Sequence, residues 1–172
     1  MFHTVWSARK PLVLTAVILS GVVWLCAVAG FGKPNNSKCI RVSGFYDEQV
    51  VTSGCTSPIG LCTTYRYQGN LAADNFFTAE TIVPTADTPL TGVVFATGES
   101  ILTNVQVAGR RGTLTIKNAA VFHTAGDGEL LDVQTIVAGT GDLEGATGVI
   151  RTEGNFVSGA GRSVFDGFVC LP

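Results

Sequence analysis

A chain of 172 residues has room for one domain of ordinary size. Only 14% of it is charged, the formal net charge is −2, and no basic block or aromatic-interleaved cationic patch occurs, which excludes an electrostatic nucleic-acid binder. Its 46% apolar content is inflated by one N-terminal run, and the remainder is rich in Gly, Thr and Val, the composition of β-structure with many corners.

That run reads as an export signal. Arg9 and Lys10 form a basic flank, and the stretch from Pro11 to Leu25 is apolar apart from Thr15, Ser20 and Gly21. Ala27-Val28-Ala29 has the small-x-small pattern of a cleavage site. Residues 1–29 are therefore predicted to be a secretory signal helix cut after Ala29, which sends the protein to the periplasm or outside the cell. The alternative is an uncleaved anchor, the chain's one route to a membrane, but the run is short of the roughly 20 residues a spanning helix needs. Cys26 does not suit a lipoprotein, because Leu25 rather than a small residue precedes it. Cleavage removes Arg9 and Lys10 and leaves 143 residues with nine basic and thirteen acidic side chains, a net of −4.

Residues 30–37 hold Gly32, Lys33, Pro34 and two asparagines and read as a flexible lead to a single domain over 38–172. Asn35-Asn36-Ser37 would be a glycosylation acceptor in a eukaryotic source. Cys39-Ile40-Arg41-Val42 starts the first strand, and Tyr46-Asp47-Glu48-Gln49 reads as its polar exit or a loop. Thr52 to Gly60 is turn chemistry throughout. Cys62 to Gln68 alternates, with Thr63, Tyr65 and Tyr67 on one face and Thr64, Arg66 and Gln68 on the other. Gly69-Asn70 reverses the chain into a strand from Asn75 to Val83, and Asp87-Thr88-Pro89 is a loop. Thr91 to Gly98 reads as a strand, with a further apolar stretch from Glu99 to Val107 after a corner. Gly109-Arg110-Arg111-Gly112 turns into Thr113 to His123, where Leu114 and Ile116 face inward. Gly126-Asp127-Gly128 turns again, and Leu130 to Val137 is a strand leading to the glycine-punctuated corner Gly139 to Gly148. Val149 to Glu153 and Ser163 to Cys170 complete the set. About eight short strands without a helical period predict an all-β fold, a closed antiparallel barrel, with a two-sheet sandwich as the alternative.

Cys39, Cys55, Cys62 and Cys170 remain after cleavage, an even number for an oxidising compartment. Of the three possible pairings, Cys55–Cys62 is expected as a local staple and Cys39–Cys170 as a tie between the first and last strands. A metal site is not expected, because there is no CxxC pair and His123 stands alone.

The glycine corner also carries a resemblance. Val137 to Gly154, with Gly139-Thr140-Gly141, Leu143, Gly145-Ala146-Thr147-Gly148 and Gly154, resembles the late hairpin of the allene oxide cyclase and dirigent barrel superfamily. Phe165-Asp166-Gly167-Phe168 is similar to its closing strand. The resemblance is closer to small secreted bacterial members of that group, which pair a Cys-Thr-Ser-Pro-x-Gly-Leu-Cys motif, here Cys55 to Cys62, with the glycine runs. It implies an eight-stranded barrel with an apolar cavity. Characterised relatives cyclise an unsaturated fatty-acid epoxide, steer the coupling of phenoxy radicals or fold polyketide-like substrates, without metal or organic cofactor. No catalytic residue of those relatives aligns here.

Candidate chemistry therefore comes from the residues themselves. His123 could act as a general base, since imidazole titrates near neutrality, although a lone histidine near a strand end is more often a surface residue. Glu80 inside an apolar strand would be a useful acid if it pointed inward, and an aggregation-deterring edge charge if outward. Tyr65, Arg66 and Tyr67 could orient a ligand at a barrel mouth, or else pack across strands. The phenylalanines are expected in the core, some of them lining a cavity. Gly139-Thr140-Gly141 is not a phosphate loop, because no helix follows it. The expected function is binding of a small hydrophobic molecule without a cofactor. The alternatives are a cofactor-independent cyclase or isomerase, and an extracellular structural protein with a filled barrel.

Overall fold

Successive strand residues face opposite sides of a sheet, so a strand that alternates apolar and polar residues can bury one face. The computed structural model describes residues 38–172, where this alternation builds β1 (Lys38–Val50), β2 (Cys62–Gly69), β3 (Leu71–Pro84), β4 (Val93–Val107), β5 (Arg110–His123), β6 (Glu129–Gly139), β7 (Thr147–Val157) and β8 (Ala160–Leu171). Each strand pairs antiparallel with its neighbours in sequence, and β8 returns to β1, closing the barrel. Closure leaves no free edge and excludes the sandwich. The expected signal over residues 1–29 and the lead over 30–37 lie outside the described residues.

The closing seam is tied by sulfur. Cys39 and Cys170 lie opposite each other in the β1–β8 register and form a disulfide. Cys55 and Cys62 form the second, across the loop between β1 and β2.

Several boundaries differ from the sequence expectation. Tyr46-Asp47-Glu48-Gln49 is not an exit loop but part of β1, where Gln49 still pairs with Ala160. The inward phase set by Val42 simply continues through Gly44, Tyr46 and Glu48. The two stretches on either side of Gly98 form one strand, β4. Gly98 is not a corner but a point of close approach: a Cβ there would lie 2.3 Å from the Phe77 ring and 2.6 Å from the Thr78 carbonyl oxygen. The expected loop at Asp87-Thr88-Pro89 contains one helical turn, α1 (Thr88–Thr91).

The glycine corner connects β6 to β7 through a 3-10 turn over Gly141–Leu143. Gly141 and Gly145 take positive φ, 64° and 73°, which a side chain would strain. The turn drives Leu143 into the end of the lumen, where it is fully buried. A Cβ on Gly139 would lie 2.1 Å from the Leu143 carbonyl oxygen, so the plug seats only against a glycine.

The lumen is layered. At the plugged end Leu71, Val105, Val107, Leu114, Leu143 and Val169 form a dry core. Above them lie Tyr67, Leu102, Ile116, Ile150 and Phe165. A polar layer follows, with Asn75, Ser100, Asn118, Asp132, Thr152 and Ser163 all buried. The open end lies beyond it. On the outer wall Val83, Phe95, Val121 and Leu131 are exposed and stand opposite one another in register across four strands, β3 to β6.

Candidate functional site

At the open end the barrel holds a half-open cavity of about 110 Å³. Its walls are apolar, built by Leu61, Phe77, Ala96, Ala120, Phe122 and Phe156. Its polar lining includes Tyr46, Glu48, Thr63, Tyr65, Asn118 and Asp132. A wider depression of about 360 Å³ lies at the other end of β4 and β5, around the bulge at Asn104. It is lined by surface threonines and Arg111 and encloses no buried titratable group.

Local structure sets the rim. The Cys55–Cys62 loop is held down by Ser57, whose hydroxyl donates to the Ala79 carbonyl at 2.6 Å and accepts from the Ile59 and Leu61 N–H groups at 3.2 Å each. Ala79 N–H donates to the Leu61 carbonyl at 3.0 Å. These bonds and the disulfide fix Leu61 against the mouth. On the far side Phe122 and Phe156 meet edge to face with ring centroids 6.2 Å apart.

All three tyrosines of the chain meet inside. Tyr46 stacks on Tyr65 with centroids 4.2 Å apart, and both lie against Tyr67 at 5.4 and 5.5 Å. Tyr67 touches Phe165 edge to face at 5.0 Å, which joins the site to the core below. Burial holds all three phenols well above their ordinary pKa, so they remain protonated donors at neutral pH.

Those donors feed acceptors on the opposite wall. Tyr67 Oη donates to Gln134 Oε1 at 2.5 Å, and Gln134 Nε2 donates to Asp132 Oδ2 at 3.0 Å. Asn118 Nδ2 donates to the same Oδ2 at 2.7 Å. Tyr46 Oη donates to Thr152 at 3.3 Å. Tyr65 Oη and Asn75 Nδ2 each lie 3.4 Å from Ser100 Oγ. Thr63 donates to Glu48 Oε1 at 2.5 Å.

Glu48 and Asp132 are both 8% exposed. Burial pushes the Glu48 carboxyl up to about 7; the Thr63 bond opposes this, and the Asp132 charge adds to it. Asp132 is also raised by burial, against the pull of Asn118, Gln134 and the backbone N–H groups of Ala119 and Val133. The cavity thus offers a carboxyl that changes charge near neutrality beside an apolar wall. Among the described residues no group of three or more His, Cys, Asp or Glu side chains is placed to hold a metal.

Of the residues singled out in the sequence, Tyr65 lines the cavity and Tyr67 lies beneath it. Arg66 does not join them: it falls on the outer phase of β2 and faces Asp74 at 3.7 Å. Glu80 does not point inward either. It lies on the outer wall, where Lys117 Nζ donates to it at 2.9 Å and pairs with Glu99 at 3.1 Å. His123 ends β5 beside Gly92 and does not line the cavity. Sequence reasoning missed Tyr46, Glu48, Asn118 and Asp132. The signal for the first two was the unbroken two-residue phase from Val42. For Asp132 it was a pair of polar residues two apart, Asp132 and Gln134, in phase with Leu130 and Ile136. No known protein-family model matches the chain, and no curated protein sequence does.

Proposed function

We propose that the protein is an exported barrel that binds a small, mainly apolar ligand through its open end. The observation that supports this most directly is the half-open, apolar-walled cavity above a lumen otherwise packed with its own side chains. At about 110 Å³ it is smaller than the roughly 300 Å³ or more usual for whole-ligand pockets. It therefore suits one ring or a short chain, with the rest of the ligand projecting past the rim. Two disulfides fit an oxidising compartment, which supports export. The barrel also agrees with the resemblance to the allene oxide cyclase and dirigent superfamily. The experiment is a thermal-shift panel of small lipophilic compounds. A concentration-dependent rise in Tm is expected, and a flat response across the panel overturns the proposal.

Glu48 favours a second reading, a cofactor-independent isomerase or cyclase. A carboxyl titrating near 7 against an apolar wall is suited to proton transfer at neutral pH. Under that reading Glu48→Gln abolishes turnover while binding survives; under the first there is no turnover to lose.

A further inference from the structure

The two buried carboxylates face no cation. Every arginine and lysine among the described residues lies on the exposed outer surface, and none lines the cavity. Charged groups are seldom buried without a counter-charge, because taking an ion out of water is costly.

Hydrogen bonding is uneven in the same place. Asn118 Nδ2 and Gln134 Nε2 both donate to Asp132 Oδ2. This fixes the orientation of the Asn118 amide and turns its oxygen away from the carboxylate. Asp132 Oδ1 and Asn118 Oδ1 are then left as buried acceptors without a well-formed hydrogen bond among the described residues; the Ala119 and Val133 N–H groups favour the Asp132 carboxylate but lie outside good hydrogen-bond geometry to Oδ1. Asn118 is 6% exposed and Asp132 8%, and both line the cavity. Of the nearby hydroxyls, Thr63 bonds Glu48, Tyr46 bonds Thr152 and Tyr67 bonds Gln134, and the one without a partner, Ser163 Oγ, does not line the cavity. Above about pH 7, where Glu48 is ionised, the cavity floor is therefore rich in acceptors and negative potential. A ligand complementary to it brings several N–H groups and a positive charge, on a body that suits the phenylalanine walls. A carboxylate-headed ligand would be repelled by both acids.

We propose that the cavity selects a small organic cation, a protonated primary amine on an apolar body, whose N–H groups meet Asp132 Oδ1 and Asn118 Oδ1. This rests on the ligand-binding function proposed above and names the chemical class of its ligand. Charge-assisted hydrogen bonds of this kind are shorter and stronger than neutral ones.

The test uses three probes of similar size against the disulfide-bonded protein at about pH 8, where alkylamines are protonated and carboxylic acids ionised. They are 2-phenylethylamine, 2-phenylethanol and 3-phenylpropanoate, compared by calorimetry. The amine is expected to bind at least roughly tenfold more tightly than the alcohol, with the propanoate weakest. Asp132→Asn should lower the ratio of amine to alcohol affinity from roughly tenfold to about one. Should that variant not fold, Glu48→Gln weakens the same charge and reads the same preference. Equal binding of amine and alcohol overturns the amine assignment while the apolar-ligand function stands, since ordinary hydration would then suffice for the two acceptors. No binding by any probe, together with a flat lipophile panel, overturns both.

Discussion

Tyr67 on β2 and Gln134 on β6 are joined across the middle of the lumen by a 2.5 Å hydrogen bond, although 67 residues separate them in the chain. Both are fully buried, so neither group has solvent to fall back on. Tyr67→Phe removes the donor and leaves Gln134 Oε1 unpaired. A loss of about 1–3 kcal/mol is expected, because a stranded buried acceptor costs its full desolvation. Urea unfolding of the two proteins side by side measures it. Equal midpoints would mean that Gln134 finds another donor.

The Glu48 carboxyl makes stability depend on pH, and its sign is unusual for an acid. Its folded pKa of about 7 lies above its ordinary 4.5, so the folded state holds a proton that the unfolded state has already released. Stability from this group is full below about 4.5, falls as pH rises, and levels off above about 7. The cost at pH 8 is up to about 3 kcal/mol. Asp132, raised as well, acts in the same direction. Glu48→Gln should therefore be more stable than the parent at pH 8 and flatter between pH 5 and 8 by urea titration. A parent that grows more stable over that interval would show Glu48 ionised and well solvated.

How much of this was legible before the structure depends on which forces act locally. Turns rest on backbone sterics: Gly126-Asp127-Gly128 falls between strands as expected, and the glycine run turns over Thr140 to Ala146, with Gly139 ending β6 and Thr147-Gly148 starting β7. Closure and the Cys39–Cys170 seam were the favoured expectations, over a sandwich and two other pairings, and both are present. The inner face of β6 did not follow. Leu131, Val133 and Val137 are exposed while Asp132 and Gln134 are buried, the reverse of a simple hydropathy assignment. Burial of those two polar residues is made tolerable by Tyr67 and Asn118, which come from β2 and β5. That is a tertiary fact that no window along the chain contains. Gly98 misled for a related reason: a glycine that ends a strand and one that makes room for Phe77 look the same in sequence.

The two disulfides should separate stability from function. Cys39–Cys170 closes a loop with a sequence separation of 131, so replacing both with serine is expected to cost about 4–5 kcal/mol if chain entropy dominates. Cys55–Cys62 spans only 7 and should cost less, roughly 2–3 kcal/mol. That small loop, however, carries Leu61 at the cavity rim. Cys55→Ser should therefore weaken ligand binding more than its effect on unfolding suggests, while the Cys39/Cys170 double variant, where still folded, should bind normally. Reversed effects in paired denaturation and binding measurements would place the ligand away from this rim.

Filling the cavity gives the most direct check on its role. Ala120 lines the wall from β5, only partly buried and facing open space rather than packed core. Ala120→Leu adds three carbons to a space of about 110 Å³, which leaves little room for a ligand. Overpacking a tight core costs roughly 1–3 kcal/mol, but here the added methyl groups meet the Phe122 and Phe156 side of an existing void, so Tm should hold or rise. The ligand-induced Tm shift should disappear. Glu80→Gln is the matched control, since Glu80 lies on the outer wall with Lys117 and its loss should leave binding unchanged. A filled variant that still responds to ligand would mean that the barrel binds elsewhere, with the exposed Val83, Phe95, Val121 and Leu131 row the first place to look.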